Sequence, residues 1–109
     1  MHSDAITGKL TRVERKRLEE VARIKSKLIV AKLTLAMIDE AYGLPTGTAG
    51  NTIHEPHVAG ERAIAAALKT RPELLWFSRY LSDGRRKSPQ PPENYRHGRR
   101  ASAPVREAA

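Results

Sequence analysis

The chain has 109 residues, 39% of them hydrophobic, and a formal net charge of +8, which is enough for one small domain with tails. It contains no cysteine, so disulfides and thiolate metal sites are excluded and a reducing compartment is expected. The start MHSDAITGKL lacks the apolar run of a secretory leader and no window approaches the roughly 18 apolar residues of a membrane span, so a cytoplasmic, nucleoid-associated protein with no membrane partner is expected.

Residues 1–10 are expected to be flexible. Thr11 and Glu14 then fit a capping box, placing a helix start at Arg12. Val13, Leu18, Val21, Ile24, Leu28 and Ala31 recur at helical spacing and form one apolar stripe, with Arg15, Lys16, Arg23, Lys25 and Lys27 around the rest. A helix from Arg12 to Ala31 is about 30 Å long at roughly 1.5 Å per residue. That exceeds what a minimal core covers, so its N-terminal turns are expected to meet a second copy of the chain or a partner protein.

Thr34 is a cap for a short helix from Leu35 to Tyr42, in which Leu35, Ile38 and Tyr42 recur at helical spacing, and Gly43 supplies the positive φ of a sharp turn. Pro45 directs the chain into a second helix from Thr46 to about His54, which Pro56 ends. This is the grammar of a helix-turn-helix over about residues 35–54, in which the second helix enters a DNA major groove and the first braces it. Ala59 to Leu68 reads as a fourth helix with Ile64, Ala67 and Leu68 inward, and Pro72-Glu73 opens a fifth carrying Leu74, Leu75 and Trp76. Trp76, flanked by apolar residues, reads as a core plug.

The ungapped order KLTL, YG, NTIHE, GERAIAAAL and RPELLWFSRY between Lys32 and Tyr80 resembles the Ner-like regulators of phages and bacteria. The resemblance implies an all-α, lambda-repressor-like helix-turn-helix bundle of about five helices over residues 11–81, and a regulator of phage or prophage-type promoters. The chain departs from the family pattern at several positions. Gly47 and Gly50 lie inside the recognition helix, Ala49 stands where a larger apolar residue is usual, and Asp39 stands where the motif prefers a small residue. Ala59 replaces the usual lysine and Phe77 the usual proline after Trp76.

Residues 82–109 are rich in proline and arginine and are expected to form a disordered basic tail. Charge flanks the motif. Lys and Arg outnumber Asp and Glu nine to four up to Leu33 and seven to two from Arg85 onward, whereas the segment from Thr34 to Gly84 has four against six. A nearly neutral reading module between cationic arms suggests arms on phosphates and a module placed by docking; tails that serve solubility alone are the simpler alternative.

Thr46, Thr48, Asn51 and Thr52 are the candidate base-reading residues, because an Asn amide matches the adenine edge and a threonine methyl packs on the thymine methyl. Asn51 bonding its own backbone is the competing reading. His54, His57, Arg85, Arg86, Lys87, Arg99 and Arg100 are the candidate phosphate-binding residues. His54 and His57 form an H-x-x-H pair, but Pro56 between them breaks the helix two ligands would need and further ligands are not evident, so no metal or cofactor is expected. No nucleophile, base and orienting acid stand together, which argues against an enzyme. The expected function is sequence-specific, double-stranded DNA binding in transcription regulation, with a homodimer and a contact to RNA polymerase as further candidates. The alternative is a protein-interaction regulator that kept the fold and acts on RNA polymerase or another transcription factor.

Overall fold

A computed structural model of the protein describes residues 10–96. Five helices follow in chain order: α1 Arg12–Ala31, α2 Leu35–Ala41, α3 Thr48–His54, α4 Val58–Ala67 and α5 Pro72–Leu75. Two 3-10 turns, Phe77–Arg79 and Pro92–Asn94, complete the described chain. The expected all-α helix-turn-helix bundle is the observed architecture, and no helix among the described residues is long and apolar enough to cross a membrane.

Local chemistry sets the helix starts. The Thr11 hydroxyl accepts from the Glu14 amide and the Glu14 carboxylate accepts from the Thr11 amide, closing the expected capping box. Thr34 Oγ1 accepts from Met37 N at the start of α2. Gly43 takes the expected positive φ of 68° between α2 and α3. The core gathers Ile24 and Leu28 of α1, Ile38 of α2, Ala49 and Ile53 of α3, Ala63, Ile64 and Ala65 of α4, and Leu75 with Trp76. Trp76 is fully buried, as a plug should be.

The apolar stripe expected on α1 divides into two halves. Ile24 and Leu28 are buried and Val21 packs against the core, whereas Val13 and Leu18 are exposed, Leu18 at 55%. Toward its N-terminal end α1 instead buries the carboxylate of Glu20, which accepts from the Ser78 amide (3.1 Å) and hydroxyl (2.7 Å). Arg23 Nη2 donates to the Leu75 carbonyl at 2.8 Å, and its guanidinium lies 4.9 Å from the Phe77 ring centre. Phe77 thus supplies a cation–π partner for Arg23.

The disordered tail expected from residue 82 is corrected over residues 82–96. Tyr80 and Arg86 form an antiparallel bridge around a turn in which Gly84 N donates to Leu81 O, and Lys87 N donates to Arg79 O. Gln90 Nε2 donates to the carbonyls of Arg79 and Lys87, and buried Asn94 donates to Ser78 O and Gln90 Oε1. Arg17 donates to the Glu93 carbonyl, so this segment runs beside the N-terminal half of α1. Composition predicted disorder because few apolar residues are available here; side-chain amides bonded to backbone carbonyls order the segment instead. Residues 1–9 and 97–109, including the expected flexible N-terminus and Arg99 and Arg100, lie outside the described residues.

One buried carboxylate joins these parts. Glu61, in the first turn of α4, has a fully buried side chain and accepts from Arg79 Nη1 (3.2 Å), Arg86 Nη2 (3.0 Å) and Nε (3.1 Å), Tyr80 Oη (2.8 Å) and the His57 amide (2.8 Å). Burial alone pushes the Glu61 carboxyl up, but the bonds from Arg86, Tyr80 and the His57 amide and the charge of Arg79 outweigh it and hold it below the usual range. Burial brings the Arg79 guanidinium down to about 10, opposed by Glu61 and Glu20. Burial, reinforced by Glu61, pushes the Tyr80 phenol up to about 12. Arg79 also donates to Ile53 O at 3.3 Å and lies 4.8 Å from the Trp76 ring centre, reaching the C-terminal end of α3.

Glu61→Gln leaves two arginines without their counter-charge, and removing one partner of a buried ion pair destabilises by about 3–5 kcal/mol. Because the folded-state pKa of Glu61 is depressed, its stabilisation is present above the ordinary value of 4.5 and is lost as pH falls through the folded-state pKa. The difference in urea midpoint between parent and variant is therefore large at pH 7 and shrinks below pH ~4.5; a constant difference would remove Glu61 ionisation from the account. At Gly50, in α3, an added Cβ meets only Leu35 Cδ1, at 3.9 Å. Since glycine in a helix interior costs about 0.8–1 kcal/mol relative to alanine, Gly50→Ala should raise stability by about that amount in the same measurement.

Candidate nucleic-acid interface

The second helix of the helix-turn-helix is held at its N-terminal end by a side chain from the first. Asp39 of α2 is buried and accepts from Gly47 N (2.8 Å, Oδ2) and Ala49 N (2.7 Å, Oδ1). Gly47 stands at the N-cap of α3 with φ 92°, where other residues are strained, and has no side chain to cap with. The carboxylate from α2 satisfies the helix-start amides instead and meets the positive end of the helix dipole. Asp39, a departure from the family pattern in sequence, is therefore the cap of α3. An acid in α2 followed by a helix start lacking its own capping side chain was the signal that could have found it.

Packing from behind is equally specific. Ala49 is fully buried, and its small side chain lets α3 lie close against the core. Gly60 of α4 faces Thr52: a Cβ at Gly60 would lie 1.9 Å from Thr52 Oγ1, so only glycine permits this approach. The Thr52 hydroxyl donates to Thr48 O at 2.7 Å. Thr52 is therefore corrected out of the base-reading set, because it is fully buried between α3 and α4 and offers a base no surface.

The other candidates lie elsewhere on α3 and its approach. Thr46 and Asn51 are exposed and Thr48 is half-buried, so all three keep accessible surface. Asn51 does not bond its own backbone through its carbonyl; Oδ1 accepts from Arg96 Nη2 at 2.8 Å. His54, half-buried at the C-terminal end of α3, is lowered from the usual imidazole value first by burial and then by Arg96, Lys25 and Arg79. It can therefore present an N–H to a phosphate but little positive charge at neutral pH.

His57 is the cap of α4: its Nδ1 accepts from Gly60 N at 3.0 Å, leaving only Nε2 for an outside partner. Among the basic candidates, Arg85 is exposed beside Asp83, at 2.8 Å, and Lys87 is half-buried. Arg86 is corrected as a free phosphate ligand, because its guanidinium is spent on buried Glu61. Arg96, which falls within the expected basic tail, sits against α3: its amide donates to Glu55 Oε2 at 3.0 Å and its Nε lies 3.8 Å from the same oxygen. No sequence signal links residue 96 to residues 51 and 55, because the contact depends on how the preceding segment folds. Among the described residues no group of three or more His, Cys, Asp or Glu side chains is placed to hold a metal ion.

A family model described as winged helix-turn-helix DNA-binding matches residues 20–91, which takes in the reading helices, the Glu61 network and most of the folded-back segment. The chain is 34% identical over 64 residues to a negative regulator of transcription from Escherichia phage Mu, covering 59% of this chain and 80% of the relative. No solved structure matches it. With a capped second helix that leaves Asn51 exposed, a match over most of its length and this phage relative, the chain belongs to the winged helix-turn-helix DNA-binding family.

Proposed function

We propose that the chain regulates transcription by seating α3 in the major groove of a specific DNA site, with Thr46, Thr48 and Asn51 facing base edges. DNA binding follows from the family; the observation that carries the docking mode is the way Asp39 and Gly60 fix α3 from behind while leaving those three side chains accessible. Phosphate contacts come from the N–H groups of His54 at the end of α3 and of His57 just after it, from exposed Arg85, and from Arg99 and Arg100 beyond the described segment. The phage relative's name carries a negative sign of control. The matching mechanism here is occlusion of a promoter, carried out in the cytoplasm at the nucleoid without enzymatic chemistry.

Selection of bound sequences from random duplex DNA at physiological salt tests this reading, and a short enriched motif is the expected result. Binding that follows salt but enriches no sequence would replace it with non-specific binding through the cationic arms. The tail is tested separately. Because residues 82–96 belong to the fold, the informative truncation removes residues 97–109 only. It should weaken binding to all sequences alike and flatten the dependence of affinity on salt by about 0.9 in logarithmic slope for each phosphate no longer neutralised. An unchanged slope would show that Arg99 and Arg100 do not touch the backbone.

We also propose self-association through the exposed apolar residues Val13 and Leu18 of α1. A two-fold repeat in the selected motif and a parent that sediments above monomer mass on DNA are expected, with Leu18→Glu reverting to monomer while keeping its helical content. A strict monomer on DNA would leave this face to a protein partner such as RNA polymerase.

A further inference from the structure

The described part of α3 carries no lysine or arginine, although a guanidinium bonded to guanine is the commonest specific contact in a major groove. Arg96 supplies one from outside the motif. It is held at two points: its backbone amide on Glu55 Oε2 at 3.0 Å, and its Nη2 on Asn51 Oδ1 at 2.8 Å. Two residues earlier, Asn94 is buried and bonded to Ser78 O and Gln90 Oε1, so the backbone that delivers Arg96 is itself anchored to the core. The Arg96 side chain remains 48% exposed while bonded to Asn51.

This contact changes what Asn51 can read. An asparagine recognises adenine by donating to N7 and accepting from N6, which needs an Oδ1 lone pair aimed at the base. Arg96 engages one of the two Oδ1 lone pairs and adds its remaining guanidinium N–H groups to the Asn51 Nδ2 hydrogens, so donors dominate what the pair presents. Guanine offers two acceptors, O6 and N7, on the same edge. Arg96 also offsets the charge of Glu55, which would otherwise stand at the end of α3 as an anion facing phosphates.

Resting on the docked-helix reading above, we propose that Arg96 is a specificity-determining residue of the DNA face, acting with Asn51 as a donor pair that selects guanine where Asn51 alone would select adenine.

The test is sequence selection from random duplex DNA with the full-length parent, Arg96→Ala and Arg96→Lys, each checked for parental helical content by circular dichroism. The parent is expected to select a motif containing a guanine that Arg96→Ala alone loses, with adenine rising at that position and the other positions unchanged. Affinity of Arg96→Ala for the parent site should fall by about 5- to 150-fold, corresponding to the removal of one good bidentate base pairing. Arg96→Lys keeps the charge but not the fork, and should retain part of the guanine preference; it carries the test if the alanine variant does not fold. An unchanged motif with unchanged affinity, with tighter binding (a shielding latch) or with a uniform loss across all sequences (a phosphate contact) overturns the proposal while leaving the docked helix intact. A parent that enriches no motif overturns the docked-helix reading and this proposal together.

Discussion

The fold turns on the placement of one negative charge. Glu61 lies out of water, where an unpaired carboxylate is strongly disfavoured, and four neighbours compensate it: Arg79, Arg86, the Tyr80 hydroxyl and the His57 amide. These partners come from separate stretches of chain. His57 lies in the loop after α3, Arg79 and Tyr80 follow α5, and Arg86 lies across the Tyr80 bridge. Satisfying Glu61 therefore brings the end of the reading motif, the last helical turn and the folded-back segment to one point. An apolar residue at 61 would impose no such geometry, since hydrophobic contact has no direction, whereas hydrogen bonds to a carboxylate accept only a narrow range of distances and angles.

From that point the constraint spreads to α3. Arg79 donates both to Glu61 and to the Ile53 carbonyl, so the residue that neutralises the buried charge also fixes the last turn of the recognition helix. The next residue before Glu61 is Gly60, whose missing side chain admits Thr52. At the other end of α3, Asp39 holds the first amides from α2. A seven-residue helix is too short to be stable by itself. Here it is tied at both ends and packed through Ala49 and Ile53, which accounts for a helix with two glycines in or beside it keeping a defined position.

Helix starts and turns could be read in the sequence because their causes are local. The Thr11 and Thr34 caps, the turn at Gly43, the breaks at Pro45 and Pro56 and the burial of Trp76 each depend on a few adjacent residues. What escaped was non-local. Thr52 and Asn51 are neighbours in sequence and equally polar, yet one is locked under Gly60 and the other faces outward, a difference set by how α4 lands on α3. Residues 82–96 read as disordered because they lack apolar content, but their order comes from Gln90, Asn94 and Arg86 reaching partners far along the chain or across the bridge. Polar ordering of this kind leaves no periodicity in the sequence.

The signature GER followed by SRY, which carried the family resemblance, proves to be scaffold chemistry. Gly60 admits Thr52, Glu61 is the buried charge, Ser78 satisfies Glu20 of α1, and Arg79 and Tyr80 satisfy Glu61. Gly60, Glu61 and Arg79 are buried, and half-buried Ser78 and Tyr80 direct their hydroxyls to carboxylates of the scaffold. Recognising the family through them establishes how α3 is held, and says nothing about which bases it meets. Target choice must then rest on side chains outside the signature, on the accessible side of α3 and on whatever the chain lays beside it. Relatives can therefore share the whole Glu61 network and still bind different sites, because the reading surface and the scaffold use separate residues.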